Sequence, residues 1–306
     1  MIKAVFTDVD GTLVNRQQRV LHGTLVAIRR LEEQGIPFVI MSGRGPTGIY
    51  TITDEYDLSC PLAAFSGGLL QNADRSILYS STIPLQLAQQ VIDFIEGSGF
   101  DCVCSIFAYD QWIVKDPGDP RIIFEAETIR LVPTVGGIDE VLPAPGTGLR
   151  EVHKVLGMCG DGKLDEIQRQ VAHAFPQLGI TRSSDHYLEV MPAGASKGDA
   201  VQRFCALWGT DPMDTAAFGD HYNDLPMLQA VGHPFLMENA PGSLKEELGL
   251  ENTGVLPATE NQLRVSAPIL PLVSSSLPAG FSAPVRLTAS CDDEGIARAL
   301  ESIGAI

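Results

Sequence analysis

Positive charge is scarce in this chain, and its cysteines form no pattern. Across 306 residues there are 21 Lys and Arg against 38 Asp and Glu, a formal net charge of −17. That balance removes the basic footprint that nucleic-acid binding needs and gives an anionic membrane surface nothing to attract. An anionic ligand would have to be drawn by a few local cations rather than by the overall field. The six cysteines are scattered without a C-x-x-C spacing. Cys102 and Cys104, one residue apart in an expected strand, share a face; buried free thiols are expected, not a zinc site or a redox pair. No basic flank followed by an apolar stretch opens the chain, so no signal peptide is expected and a cytoplasmic protein is the default. The long uncharged stretch from Val265 to Val285 is interrupted by Pro268, Pro271, Pro278 and Pro284 and by a serine run, Ser274 to Ser276. It makes a poor transmembrane helix. There is no repeat of fixed period.

What is present is ordinary globular material, 44% hydrophobic and 19% charged, long enough for one large domain or two of common size. The apolar run Ile2 to Phe6 reads as a buried parallel strand. Leu25, Ile28 and Leu31 follow at helical spacing, with Gly35 as C-cap. Pro37 to Met41 reads as strand, Pro46 opens a helix, and Leu62 to Phe65 is a further strand. This β-α-β-α-β alternation predicts an α/β core, with a doubly wound and mainly parallel sheet. From Thr82 the pattern changes to a helix at Pro84 to Glu96 and segregated strands near Val103 to Phe107, Gln111 to Val114, His153 to Met158, Ile180 to Arg182 and Tyr187 to Val190. A helix at Lys163 to Phe175 completes an inserted α+β module. Core-like alternation returns with a helix after Ser196, a strand at Thr215 to Phe218, a helix at Leu225 to Val231, a strand at Phe235 to Met237, and a final helix, Asp292 to Ile303, with Asp292 or Asp293 as N-cap.

Four polar clusters fall at strand ends or helix starts: Asp8-Val9-Asp10-Gly11-Thr12, Ser42-Gly43-Arg44, Ser196-Lys197 and Gly219-Asp220-His221-Tyr222-Asn223-Asp224. Taken alone, Asp-x-Asp-Gly is also a turn signal. Together the clusters supply what phosphoryl transfer needs: a nucleophile, a proton donor, donors for the non-bridging oxygens and a cation. Asp8 is the candidate nucleophile, able to form an aspartyl-phosphate, and Asp10 the candidate general acid and then base. Two anions require a divalent metal between them; Mg²⁺ suits Asp8, a backbone carbonyl at Asp10, and Asp220. Thr12, Ser42, the Gly43 amide, Arg44, Lys197 and Asn223 form the phosphate-binding set, Thr12 also bracing the loop after Asp8. Ser42 has plain N-capping as its alternative role, Arg44 is equally placed for a salt bridge, and Asn223 and Asp224 are placed for capping or for orienting metal water and Lys197. A lysine in a first helical turn opposes the helix dipole, so Lys197 asks for an anionic partner. His153 and His221 read as packed or surface histidines.

These residues resemble the motifs of the haloacid dehalogenase superfamily, and within it the Cof-type phosphatases that carry an α+β cap between the second and third motifs. The resemblance runs through Asp8 to Leu13, Ser42 to Arg44, Ser196 to Gly198 and Gly219 to Leu228. It implies a Rossmann-like catalytic core at 1–82 and 191–306 and a substrate-selecting α+β cap at 83–190. By that resemblance Asp8 is the nucleophile, Asp10 the acid/base, Ser42 and Lys197 the phosphate binders, and Asp8, Asp10 and Asp220 the magnesium ligands. Two departures stand out: Ser66-Gly67-Gly68 where relatives commonly have Asn-Gly-Ala, and a Pro/Ser-rich segment, 254–284, expected to be a surface loop.

The implied activity is Mg²⁺-dependent hydrolysis of a small phosphorylated metabolite, a sugar phosphate or phosphorylated cofactor, without nucleic-acid or membrane partners. A phosphomutase shares the apparatus, and a non-catalytic phospho-ligand-binding protein would share the pocket. Lys115, Arg121, Asp185 and His186 are cap residues equally suited to substrate or to solvent. Monomer and homodimer are both compatible with the sequence.

Overall fold

The computed structural model describes residues 1–144, 148–160, 162–184, 186–250 and 277–306, with the backbone of 272–273. Ala4–Asp8 (β1) is buried along its whole length. His22–Glu33 (α1), Phe38–Met41 (β2) and Pro46–Glu55 (α2) follow, with Pro46 in the first helical turn, where a missing N–H costs nothing. Next come Leu62–Ala64 (β3), Leu69–Gln71 (β4), Ile77–Ser80 (β5), Ile83–Pro84 (β6), Leu85–Gly97 (α3), Cys102–Ala108 (β7) and Gln111–Val114 (β8). Pro120–Ile129 (α4), Thr134–Val135 (β9), Glu151–Val152 (β10), Lys154–Cys159 (β11), Leu164–Ala174 (α5), Leu178–Arg182 (β12) and Tyr187–Pro192 (β13) lead to Lys197–Trp208 (α6). The chain continues through Thr215–Gly219 (β14), Leu225–Gln229 (α7), His233–Met237 (β15), Gly242–Glu247 (α8), Leu272–Val273 (β16), Arg286–Thr288 (β17) and Gly295–Ser302 (α9).

Two compact units partition the chain: Met1–Ile40 with Val201–Ile306, and Met41–Ala200. In the first, strands lie in the order β16-β17-β15-β14-β1-β2. β1 runs parallel to β14, β14 to β15 and β15 to β17, while β16 is antiparallel. Strands buried on both faces must be apolar throughout, and Phe218 and Phe235, both fully buried, stack at 5.0 Å between centroids. Truncating either to Ala would cost roughly 3–5 kcal/mol. The chain leaves β1 for one neighbour and returns later to the other, a reversal of strand order that opens a crevice at the C-terminal strand ends. Asp8 and Asp220 stand at those ends.

The last helix is shorter than expected, and its N-cap is neither Asp292 nor Asp293 but Glu294, in the left-handed region at φ 60°. Asp292 instead pairs with Arg16, and Asp293 accepts from the Ser290 hydroxyl at 2.6 Å.

In the second unit β3, β4 and β5 form an antiparallel meander, and a six-stranded sheet has the order β12-β13-β11-β7-β8-β9. Residues from 83 to 190 hold a hydrophobic cluster of their own, in which Val91, Ile92 and Ile95 of α3 and Ile167 and Val171 of α5 meet Cys104, Ile106, Val155, Leu188 and Val190. α4 is capped by Asp119, whose carboxylate accepts from the Arg121 amide at 2.9 Å. Most of segment 254–284, and Asp185, lie outside the described residues. All six cysteines are free thiols, five buried and Cys102 partly so. No helix among the described residues is long and apolar enough to cross a membrane.

Candidate active site

At the end of β1, Asp8 is 6% exposed. The chain turns at once, with the amides of Leu13 and Val14 donating to the carbonyls of Asp8 and Val9. Gly11 makes this turn possible twice over. Its φ is +78°, and a Cβ there would run into the Asp220 carboxylate. Thr12 then donates from Oγ1 to Asp220 Oδ1 at 3.3 Å. Asp220 follows β14 directly, and its amide and that of His221 donate to Asp224 Oδ2 at 2.9 and 3.0 Å. Asp224, fully buried, therefore braces the turn, and Gly219 has no room for a side chain beside it.

Asp8, Asp220 and Asp224 each bring a carboxylate oxygen within 4.8 Å of the others. At that separation each pair repels by roughly 3 kcal/mol at an effective dielectric near 20. A hard, all-oxygen, anionic set of this kind suits a divalent cation such as Mg²⁺. Asp224 is committed to two backbone amides and fits an outer-shell role. The Asp10 carboxylate is not part of this trio: the residue is exposed, and Gln18 Nε2 reaches its Oδ1 at 3.4 Å. Asn223 is half-buried in the single turn Tyr222–Asp224.

In the second unit, Ser42 follows β2 and is 2% exposed. It does not cap α2; that position is Gly45. Its Oγ instead accepts from the Arg44 amide at 3.1 Å. The Ser42 and Arg44 carbonyls accept from the amides of Ser66 and Phe65 at 2.8 and 2.9 Å, and Arg44 Nη1 reaches the Gly48 carbonyl at 3.5 Å. Phe65 and Ser66 both have φ of 52°, a left-handed conformation costly for side chains other than Asn. Lys197 is 1% exposed, which excludes a surface lysine. Ser196 Oγ caps its helix by accepting from the Asp199 amide at 3.0 Å.

His153 is a packed histidine, as expected. It stacks on Phe65 at 4.9 Å, Nδ1 accepts from the Tyr109 amide at 2.9 Å, and Nε2 meets Ser80 Oγ at 3.1 Å. Burial pushes its pKa down to about 4. Lys115 pairs with Glu96, and Arg121 forks between Asp119 and Asp101, so both serve the fold around them. Sequence reasoning passed over Asn239, whose Nδ2 donates to the Gly11 carbonyl and to Asp220 Oδ2. The signal was there: a polar residue just past a parallel strand, β15, as at Asp8 and Asp220.

The family model for haloacid dehalogenase-like hydrolases matches residues 5–249. The chain belongs to this family. Among curated relatives, a Haemophilus influenzae protein with the name "Putative phosphatase" is 31% identical over 262 residues, covering 86% of this chain and 95% of its own. A 5-amino-6-(5-phospho-D-ribitylamino)uracil phosphatase of Bacillus subtilis is 24% identical over 265 residues, covering 80% and 91%. The fold is that of a haloacid dehalogenase-like hydrolase from Bacteroides thetaiotaomicron, with a TM-score of 0.77 at 20% identity over 99% of this chain and 100% of that one. This HAD-family chain is thus a phosphatase of the Cof type, the class its motifs resemble.

Proposed function

We propose that the protein hydrolyses a small phosphorylated metabolite, a sugar phosphate or phosphorylated cofactor, through an aspartyl-phosphate and with Mg²⁺. The observation that carries this reading is the buried Asp8 at the end of β1, set with Asp220 and Asp224 beside a glycine that only a bare backbone can occupy. Asp8 attacks phosphorus. Asp10, exposed and outside the acidic trio, protonates the leaving oxygen and then takes a proton from the attacking water. Ser42, the Gly43 amide, Arg44 and Lys197 bind phosphoryl oxygens, with Thr12 and Asn223 completing the set and Asp224 in support. Asp8, the Asp10 backbone carbonyl and Asp220 would hold Mg²⁺, which offsets the charge between carboxylate and phosphate. Residues 83–190 are the proposed cap that selects the leaving group, a reading supported by their own hydrophobic cluster. The Bacillus relative acts on a small phosphorylated metabolite by its name, which supports the same substrate class here. Free thiols throughout accord with a reducing, cytoplasmic setting.

The test is phosphate release from sugar phosphates, nucleotides, pyridoxal phosphate, flavin mononucleotide and p-nitrophenyl phosphate, with and without Mg²⁺. Asp8→Asn should abolish release while leaving the circular dichroism spectrum unchanged. Retained turnover in that variant would overturn the mechanism.

A further inference from the structure

Lys154 on β11 and Glu189 on β13 form an ion pair at 3.0 Å with side chains only 5% and 7% exposed. A buried pair gains little net stability, because desolvating both charges offsets most of their attraction. What distinguishes this one is its third partner. The same ammonium donates to the carbonyl oxygen of Gly43 at 2.7 Å and stands 4.8 Å from the centroid of the Phe107 ring. The Gly43 carbonyl and the Arg44 amide belong to one rigid peptide plane, so a hold on the carbonyl is a hold on the N–H. That N–H is the group that donates to Ser42 Oγ at 3.1 Å. With a lone pair so occupied, the Ser42 hydroxyl has its proton to give elsewhere. The glycine beside it offers no side chain to resist rotation of the plane.

We infer that Lys154, oriented by Glu189, is a positioning residue for the phosphate-binding turn: it fixes the Gly43–Arg44 peptide and through it the direction of the Ser42 hydroxyl. This rests on the role given to Ser42 above. Glu189 also lies 3.5 Å from where a Gly43 Cβ would stand, so the pair packs directly on the turn it holds.

The experiment is calorimetric binding of inorganic phosphate in Mg²⁺ buffer, with p-nitrophenyl phosphate kinetics alongside. The variants are Lys154→Arg, Glu189→Gln and the double variant Lys154→Met with Glu189→Leu, which removes both charges of the pair together. The double variant should weaken phosphate binding and raise KM by about tenfold or more, with Lys154→Arg recovering most of the loss. A folded double variant with wild-type phosphate affinity overturns the inference. Should it not fold, Glu189→Gln decides: a measurable weakening is expected, and unchanged affinity overturns it. Wild-type protein that binds phosphate yet releases none from any ester overturns the phosphatase reading alone; wild-type protein that binds none overturns this inference.

Discussion

The Asn239 side-chain amide donates to Asp220 Oδ2 at 3.1 Å while also reaching the Gly11 carbonyl at 2.8 Å. Its own oxygen accepts from the Cys291 amide at 2.9 Å, so the orientation of the amide is set from behind. A residue in this position aims one carboxylate of the acidic trio and ties the turn after β1 to the turn after β15.

Asn239→Ala should therefore loosen the metal site rather than remove chemistry. Apparent Mg²⁺ affinity should fall by about tenfold or more, the usual cost of losing an outer-shell partner, with kcat largely restored at saturating Mg²⁺. Activity titrated against Mg²⁺ checks this; an unchanged midpoint would refute it.

His153 should titrate with a midpoint near 4, far below a free histidine, because burial disfavours its charged form. The sign follows from proton uptake. Between pH 6.5 and about 4 the unfolded chain binds this proton and the folded one does not, so the contribution is complete above pH 6.5 and is lost as pH falls. Full loss amounts to roughly 3 kcal/mol. An NMR titration of the ring proton measures the midpoint, and a value of 6 or above would be incompatible with this packing. His153→Asn, whose Oδ1 takes the place of Nδ1 as acceptor for the Tyr109 amide, should flatten the acid limb of the stability curve.

Glu294 replaces the missing cap of α1. Leu21 at its N-cap offers no side-chain acceptor, and the Glu294 carboxylate accepts from the amides of Gly23 and Thr24, each at 2.7 Å, and from the Thr24 hydroxyl at 2.9 Å. Glu294→Ala should destabilise the protein by about 1–3 kcal/mol, read as a lowered urea midpoint. Catalysis per folded molecule should be unaffected.

Elements with strong periodicity were legible from the chain alone. Ala4–Asp8, Phe38–Met41, Thr215–Gly219 and the helix opened by Pro46 lie within two residues of their expected places, because apolar runs and a proline at N1 carry their own signal. β4 and β5 were not foreseen. Leu69–Gln71 is three residues long, and what makes it a strand is its pairing with Leu62–Ala64, a non-local fact. The last helix shows the same limit: Asp292 and Asp293 have capping chemistry, yet each is drawn to another partner.

In the candidate site, the residue types point to phosphoryl transfer. Asp8, Asp10, Ser42, Lys197 and Asp220 stand at strand ends and helix starts, where backbone geometry exposes them whatever else the fold does. Their relationships needed tertiary contact. Only packing showed that Asp224 braces a turn, that Asn239 aims Asp220, that Lys197 is buried rather than solvated, and that Lys154 holds Gly43. Sequence determines chemistry that is local to a strand end or a turn; which groups 20 or 200 residues apart share a hydrogen bond is decided when burial forces polar atoms to find one another, since a buried donor or acceptor left alone costs more than any single pairing gains.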